Sequence, residues 1–237
     1  MITLTPRLQA VADYVPPHCC FADVGTDHAY LPVWLIGHGV IDSAIASDLR
    51  QGPLDHARAT AELYGYSDRF DFRLSDGLAA YAPHEVDCIA IAGMGGEAIR
   101  SILSAAPWTG ERTRLILQPQ TNIPELRQWL TESGYRIEEE CIIREENRWY
   151  SVLLVSGGGD DTKWTPGTLL TGNPLRWAAD PERPAYLRFL LERLEKQIRG
   201  LKQASEPDVR RLTDLTQAKE ELTRMLKNGR EDPTCQQ

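Results

Sequence analysis

No Cys-x-x-Cys pair occurs in these 237 residues, and the five cysteines, Cys19, Cys20, Cys88, Cys141 and Cys235, are odd in number. Neither a disulfide framework nor a zinc site is supported, so the thiols are expected to be reduced and inert, and no metal is expected. Long apolar runs are missing too, and Met1 to Arg7 lacks the basic segment and apolar stretch of a secretory leader. Insertion and secretion are therefore unsupported, and a cytoplasmic protein with no membrane partner is the expectation. Positive charge is scarce overall, with a formal net charge of −8. That balance argues against a polyanionic partner until its distribution is read. Residues 185 to 230 hold eleven basic against seven acidic side chains, a local +4 on a body that carries −12. Such a segment suits phosphate contacts from one part of the chain only, and equally suits a solvated helix face.

A complete Gly-x-Gly-x-x-Gly fingerprint is absent as well. What stands in its place is Phe-Ala-Asp-Val-Gly-Thr-Asp-His-Ala-Tyr-Leu-Pro, residues 21 to 32, where a short apolar run ends in an acid and a glycine and a helix begins. Gly25 has no Cβ, so the backbone can take a positive φ and a ligand can come close. Asp27 is expected to cap the following helix, and Pro32 is tolerated there because the first-turn N–H groups lack intrahelical partners. An ordinary strand-to-helix turn would look similar, so the ligand must be sought elsewhere in the chain.

With 42% hydrophobic and 25% charged residues, the chain can bury one large core and carry an appendage. Leu8, Val11, Ala12 and Val15 recur at helical spacing after a Thr-Pro start, giving an opening helix over residues 5 to 15. Strand and helix then alternate. Strands are expected at Cys20–Val24, Ile41–Ser47, Phe70–Leu74, Cys88–Ala92 and Leu115–Leu117. Helices are expected at Ala29–Gly37, at Pro53–Tyr64 with Leu54, Ala57, Ala61 and Leu63 inward, from Glu97, and at Pro124–Ser133. Glu140–Ile143 with Tyr150–Val155 reads as a closing antiparallel hairpin. This is an α/β fold, a mostly parallel sheet with helices on both faces. After Val155 a Gly- and Pro-rich stretch without clear periodicity gives a connector over 157–184. Leu187, Leu191, Leu194, Ile198 and Leu201, then Leu212, Leu215, Leu222 and Leu226, step by heptads with a break between. Ser205 to Asp208 reads as a capping box that starts the second helix, so residues 185–230 form an antiparallel helical hairpin, frayed from Gly229.

Asp48 follows Gly25 by a little over twenty residues, the separation at which a βαβ unit sets a carboxylate beside ribose hydroxyls. Asp76-Gly77 closes the next strand, and Gly93-Met94-Gly95-Gly96 leaves bare backbone at the one after. Strand ends of a doubly wound sheet share one crevice, so these groups are expected on one nucleoside ligand. The candidates are a nicotinamide dinucleotide and S-adenosylmethionine. A pyrophosphate needs the helix N-terminus where Asp27 stands, and a carboxylate repels it. S-adenosylmethionine has no phosphate, while its ammonium and sulfonium groups are attracted by an acid. Asp76 is then free to accept from the adenine amino group.

Four segments carry a resemblance to a known family: Arg7-Leu8 with Val11-Ala12, Asp23-Val-Gly-Thr-Asp-His-Ala-Tyr-Leu-Pro32, Ile91-Ala-Gly-Met-Gly-Gly96 and Leu115-Ile-Leu-Gln-Pro119. Gly52-Pro53, Asp76-Gly77-Leu78 and Tyr150 fit with them. In this order and spacing the chain resembles the bacterial tRNA adenine-22-N1 methyltransferases, closely from Leu4 to about Val155 and architecturally beyond. Gln120 stands where that family usually has Asn, and Thr171-Gly-Asn-Pro-Leu175 is a weak version of its Gly-Pro segment.

The resemblance implies a Rossmann-like class I methyltransferase domain over 1–156, the connector over 157–184 and a coiled-coil hairpin over 185–230. It implies transfer of a methyl group from S-adenosylmethionine to N1 of an adenine in the D-loop region of tRNA; a monomer is expected. Cofactor contacts are expected from Asp23, Gly25, Asp27, His28, Asp48, Asp76, Gly77 and Gly93. The reaction is expected to be served by Gly93, Met94, Gly95 and Asp27, the glycine loop gripping the base. Substrate contacts fall to Arg7, Tyr30, Gly96 and Tyr150. Each has a plainer reading: His28 bonding the helix start, Tyr30, Trp149 and Tyr150 as core aromatics, Arg7 paired with an acid. A methyltransferase for another RNA or a small molecule, a non-catalytic binding module and a dehydrogenase all stay open on the residues alone.

Overall fold

The structure is a computed structural model that describes residues 2–173, 180–204, 206 and 208–228. The chain divides into two compact units, Met1–Asp161 and Thr162–Gln237.

In the first unit Thr5 accepts from the Leu8 N–H at 3.4 Å and Pro6 fills the first helical position, so α1 (Pro6–Asp13) starts where its sequence signals it. Seven strands follow: β1 (Phe21–Val24), β2 (Ala44–Asp48), β3 (Phe70–Leu74), β4 (Cys88–Met94), β5 (Arg114–Pro119), β6 (Tyr135–Glu145) and β7 (Arg148–Gly157). They form one sheet in the order β3-β2-β1-β4-β5-β7-β6. The first five are parallel, and β7 runs antiparallel to both β5 and β6. Phe21, Ala22, Ile89, Ala90, Ile91, Leu115, Ile116 and Leu117 are all buried in the three central strands. That is why β4 and β5 carry the unbroken apolar runs 88–92 and 115–117: helices cover both faces of a parallel sheet.

The intervening helices are α2 (Tyr30–Gly37), α3 (Gln51–Leu63), α4 (Gly96–Ala105) and α5 (Ile123–Glu132). Leu54, Ala57 and Ala61 face the sheet from α3, but Leu63 does not: it is 79% exposed. Two residues beyond Ala61 is about 200° of helix rotation, which carries Leu63 to the outer face. Between α5 and β6 lies an ion pair with both side chains fully buried, Arg127 donating through Nε and Nη2 to Glu140 Oε2 at 3.0 and 2.8 Å. After β1 the chain winds outward through β2 to β3, then crosses back to β4 and winds the other way. The carboxyl ends of β1 and β4 therefore flank the switch point, where open α/β sheets hold their ligands.

The second unit contains α6 (Pro166–Thr171), α7 (Arg183–Lys202) and α8 (Val209–Asn228). The hairpin expected over 185–230 is there as α7 and α8, with Leu187, Leu194 and Leu222 buried and Leu191, Ile198, Leu201, Leu212, Leu215 and Leu226 half-buried. Asp208 accepts from the Arg211 N–H at 3.0 Å and so caps α8, while Ser205 and Pro207 of the expected capping box, Pro174, Leu175 and everything from Gly229 lie outside the described residues. The stretch read as a connector holds a helix of its own. Thr165 and Thr168 form a reciprocal cap at the start of α6, and Glu221 of α8 accepts from the Thr165 hydroxyl and from the Gly167 N–H at 3.0 Å. Six residues are too few to show a helical period.

Candidate active site

The turn after β1 is built around two requirements at Gly25. Its φ is +77°, and a Cβ there would collide with the Met94 methyl, which lies against it from the end of β4. The Gly25 and Thr26 N–H groups donate to the Ser47 carbonyl at 2.8 and 3.0 Å, tying this turn to β2. Just before it, Asp23 is buried and accepts from the Thr26 hydroxyl at 2.7 Å. Burial first, and the Asp48 carboxylate second, push its pKa up to about 6 against the hydroxyl's opposing pull.

Asp27 does not cap α2, contrary to the expectation. Asp27 and Ala29 both sit in left-handed backbone (φ 46° and 54°), no side chain among the described residues caps that helix, and the Asp27 carboxylate instead stands 3.8 Å from His28 Nε2. Two left-handed residues before Tyr30 carry the carboxylate off the line of the first N–H groups and leave it exposed to solvent. His28 is likewise not at the helix N–H groups. Its ring is stacked with that of Tyr30 (5.1 Å between centroids, 6° between planes) and with that of His56 of α3 (4.8 Å, 4°).

Across the switch point, Gly93 is exposed with φ +79°, and its N–H donates to Gln118 Oε1 at 3.1 Å. Gln118 is fully buried, and the same oxygen takes Arg7 Nη1 at 2.8 Å and Gln120 Nε2 at 3.2 Å. One side-chain amide thus fixes both the glycine turn and the arginine. Arg7 also lies over the Tyr150 ring at 5.6 Å, and its backbone N–H donates to Glu145 at 3.0 Å.

These pieces enclose a cleft of 420 Å3 lined by Arg7, Asp23, Gly25, Thr26, Asp27, His28, Tyr30 and Gly93 among others. Seven of the residues expected at the site therefore meet there. Asp48, Asp76 and Gly77 do not line it and stand at the adjoining ends of β2 and β3, which the Ser75 N–H joins through the Asp48 carbonyl at 2.9 Å. Leu49 and Leu74 beside them are 63% and 59% exposed, an apolar shelf at strand ends that the sequence reading missed. Gly96 is turned to another task. It is buried, its N–H donates to the Thr121 carbonyl at 2.9 Å, and a Cβ would come within 2.7 Å of the Thr121 and Asn122 carbonyls. Its substrate contact is thereby replaced by packing, and Gly95 beside it opens α4. Tyr150 supports Arg7 and is not a lining residue. Gln118 and His56 were missed too, because their partners are set by strand order and helix packing.

The residues fit a sulfonium nucleoside. Carboxylates at Asp23 and Asp27 favour a cation and oppose a pyrophosphate, an open glycine turn faces them, and an apolar shelf with Asp48 and Asp76 adjoins. Asp27, His28 and His56 also bring donor atoms within 4.8 Å of one another. A metal must lie in the plane of each imidazole it binds, and two parallel rings cannot both satisfy that, so the stack would have to open first.

A doubly wound sheet with this cleft at its switch point defines a nucleoside-dependent transferase of the methyltransferase class, and the family described as a methyltransferase domain matches residues 4–153. The chain is 37% identical over 173 residues to the tRNA (adenine(22)-N(1))-methyltransferase of Bacillus subtilis, covering 72% of each. The solved structure of the B. subtilis 1-methyladenine-22 tRNA methyltransferase superposes with a TM-score of 0.83 at 31% identity, over 95% of this chain and 100% of that one. A Streptococcus pneumoniae protein crystallised with S-adenosyl-L-methionine superposes at 0.79 with 30% identity, over 94% of this chain and 100% of that one. The chain belongs to the tRNA (adenine(22)-N(1))-methyltransferase family.

Proposed function

We propose that this protein transfers a methyl group from S-adenosylmethionine to N1 of adenine 22 in tRNA. The observation that carries the reading is the cleft, where two carboxylates, an open glycine turn, an arginine and an exposed aromatic ring converge at the switch point. S-adenosylmethionine supplies an electrophilic methyl carbon on a cationic sulfur and leaves as a neutral thioether. Asp23 and Asp27 hold the positive end of the cofactor, Asp48 is placed for ribose hydroxyls, and Asp76 for the adenine amino group above the Leu49 shelf. Adenine N1 carries its lone pair at neutral pH, so no base has to create the nucleophile and alignment does most of the work. The Gly93 turn presents main chain to the base edge, Arg7 presents a cation to RNA phosphate, and Asp27 can offset the charge that N1 gains. N1 lies in a pairing edge, so the base must be unpaired or extruded to enter.

A tRNA substrate supports a cytoplasmic site of action. Among the described residues no helix is long and apolar enough to cross a membrane. Mass spectrometry of nucleosides from tRNA incubated with the protein and S-adenosylmethionine tests the reading: 1-methyladenosine at position 22 is expected. Methylation of a metabolite with tRNA left unmodified would overturn it. Asp76→Ala is expected to abolish cofactor binding in calorimetry, and unchanged affinity would remove Asp76 from the site.

A further inference from the structure

Tyr30, His28 and His56 form a ladder of three nearly parallel rings that begins in the cleft and runs outward to α3. Tyr30 and His28 line the cleft; His56 does not. One face of Tyr30 is taken by His28, yet the residue remains 46% exposed, so a large aromatic surface stays open where the cleft needs a wall. Fixing it there is costly. Asp27 and Ala29, on either side of His28, are both non-glycine residues in left-handed backbone, a conformation that persists only where its surroundings over-determine it and that concentrates at ligand sites. Ala29 is fully buried, which anchors the segment between the two rings.

We infer that the open face of Tyr30 is the stacking platform for the target purine, and that His28 and His56 are positioning residues that fix its tilt. The inference rests on the proposed tRNA methyltransferase activity and names the contact by which the same cleft holds its base. Stacking on aromatic rings is how proteins hold unpaired bases, because every base has a π-face to offer. The arrangement divides the labour: the Gly93 turn meets the edge of the base, and Tyr30 meets its face. A ring with nothing stacked behind it would rock with its own χ angles. Backed by two further rings, one of them from a second helix, it presents one plane, which is what in-line attack by N1 demands.

The test uses the whole protein with tRNA, and with the same tRNA carrying 2-aminopurine in place of the target adenine, whose fluorescence is quenched when it stacks. Tyr30→Leu is expected to lower kcat/KM for tRNA by about 10- to 100-fold, the worth of one base–aromatic stack. Its cofactor affinity in calorimetry should stay close to that of the unaltered protein, and bound 2-aminopurine should remain bright. Tyr30→Phe should recover most of the activity and restore the quench. His56→Ala, at an exposed position outside the cleft, should weaken the quench without touching cofactor affinity. An unaltered kcat/KM and quench in Tyr30→Leu would overturn the inference, as would equal impairment in Leu and Phe, which would make the hydroxyl and not the ring the active feature. Failure of the activity itself reads differently: the unaltered protein would then leave tRNA unmethylated.

Discussion

If Asp23 holds the positive end of the cofactor, as proposed, one proton ties ligand binding to stability. Its folded pKa of about 6 lies above the ordinary 3.8, so the folded state favours the protonated acid. The stabilising contribution is fully present below the ordinary value and is lost as pH rises through about 6. Asp23→Asn, which cannot ionise, is therefore expected to melt higher than the unaltered protein at pH 7.5, by an amount on the order of 1–3 kcal/mol. The gain should vanish towards pH 4 in the same thermal scans, and a gain that ignores pH would refute the assignment. Binding a cation needs the ionised acid, so affinity for S-adenosylmethionine should weaken below pH 6 and be largely abolished in the variant. At this scale the sequence was legible where chemistry follows chain order: Gly25 and Gly93 stand at the ends of β1 and β4 and meet in the cleft, whereas Asp48 and Asp76 stand beside it at the ends of β2 and β3. Gln118, His56 and Leu49 were not legible, because what they touch depends on which strands pair and where α3 lies. Asp27 was misread since capping depends on backbone dihedrals, and those of residues 27 and 29 are left-handed without any glycine to announce it.

Among elements, β6 shows why the edge of the sheet is harder to read than its centre. Tyr135 and Ile137 are buried while Arg136, Glu138 and Glu139 face outward, so the strand alternates and its first five residues resemble a polar loop. Glu140 then breaks the expectation that acids stay outside, since it is buried against Arg127 of α5. Glu140→Gln leaves a buried guanidinium without its counter-charge and is expected to cost about 3–5 kcal/mol in urea unfolding, against little change in cofactor affinity. A cost below about 1 kcal/mol would show that the pair contributes little net stability. The buried apolar strands and α3 were recoverable from periodicity, as was the α7–α8 hairpin from its heptads. The six-residue α6 was not, although Thr165-Pro166 repeats the Thr-Pro start of α1.

For the whole molecule, charge placement matters more than its sum. Lys219 is paired with Glu195 at 2.9 Å, whereas Lys196, Arg199 and Lys202 recur every three residues on one exposed stripe of α7. If that stripe meets RNA phosphate, replacing all three by glutamine should weaken tRNA binding at low salt and flatten its dependence on log salt by roughly 0.7–0.9 for each phosphate left without its cation. Cofactor affinity should not change, and an unaltered salt slope would leave the stripe as a solvated face. The local excess of basic residues was visible in the sequence; which of them are spent on ion pairs was not.

The Met94 methyl resting in the space that a Cβ at Gly25 would need has a consequence for how the two ligands meet. The turn after β1 meets the flexible Met94 side chain from the end of β4, so if the first holds the cofactor and the second the base, as proposed, a shift of either bears on its neighbour. Whatever factor the first arrival confers on the affinity of the second must be returned in equal measure, since such coupling is reciprocal. A methionine at that point gives any such coupling a soft, unbranched thioether to pass through.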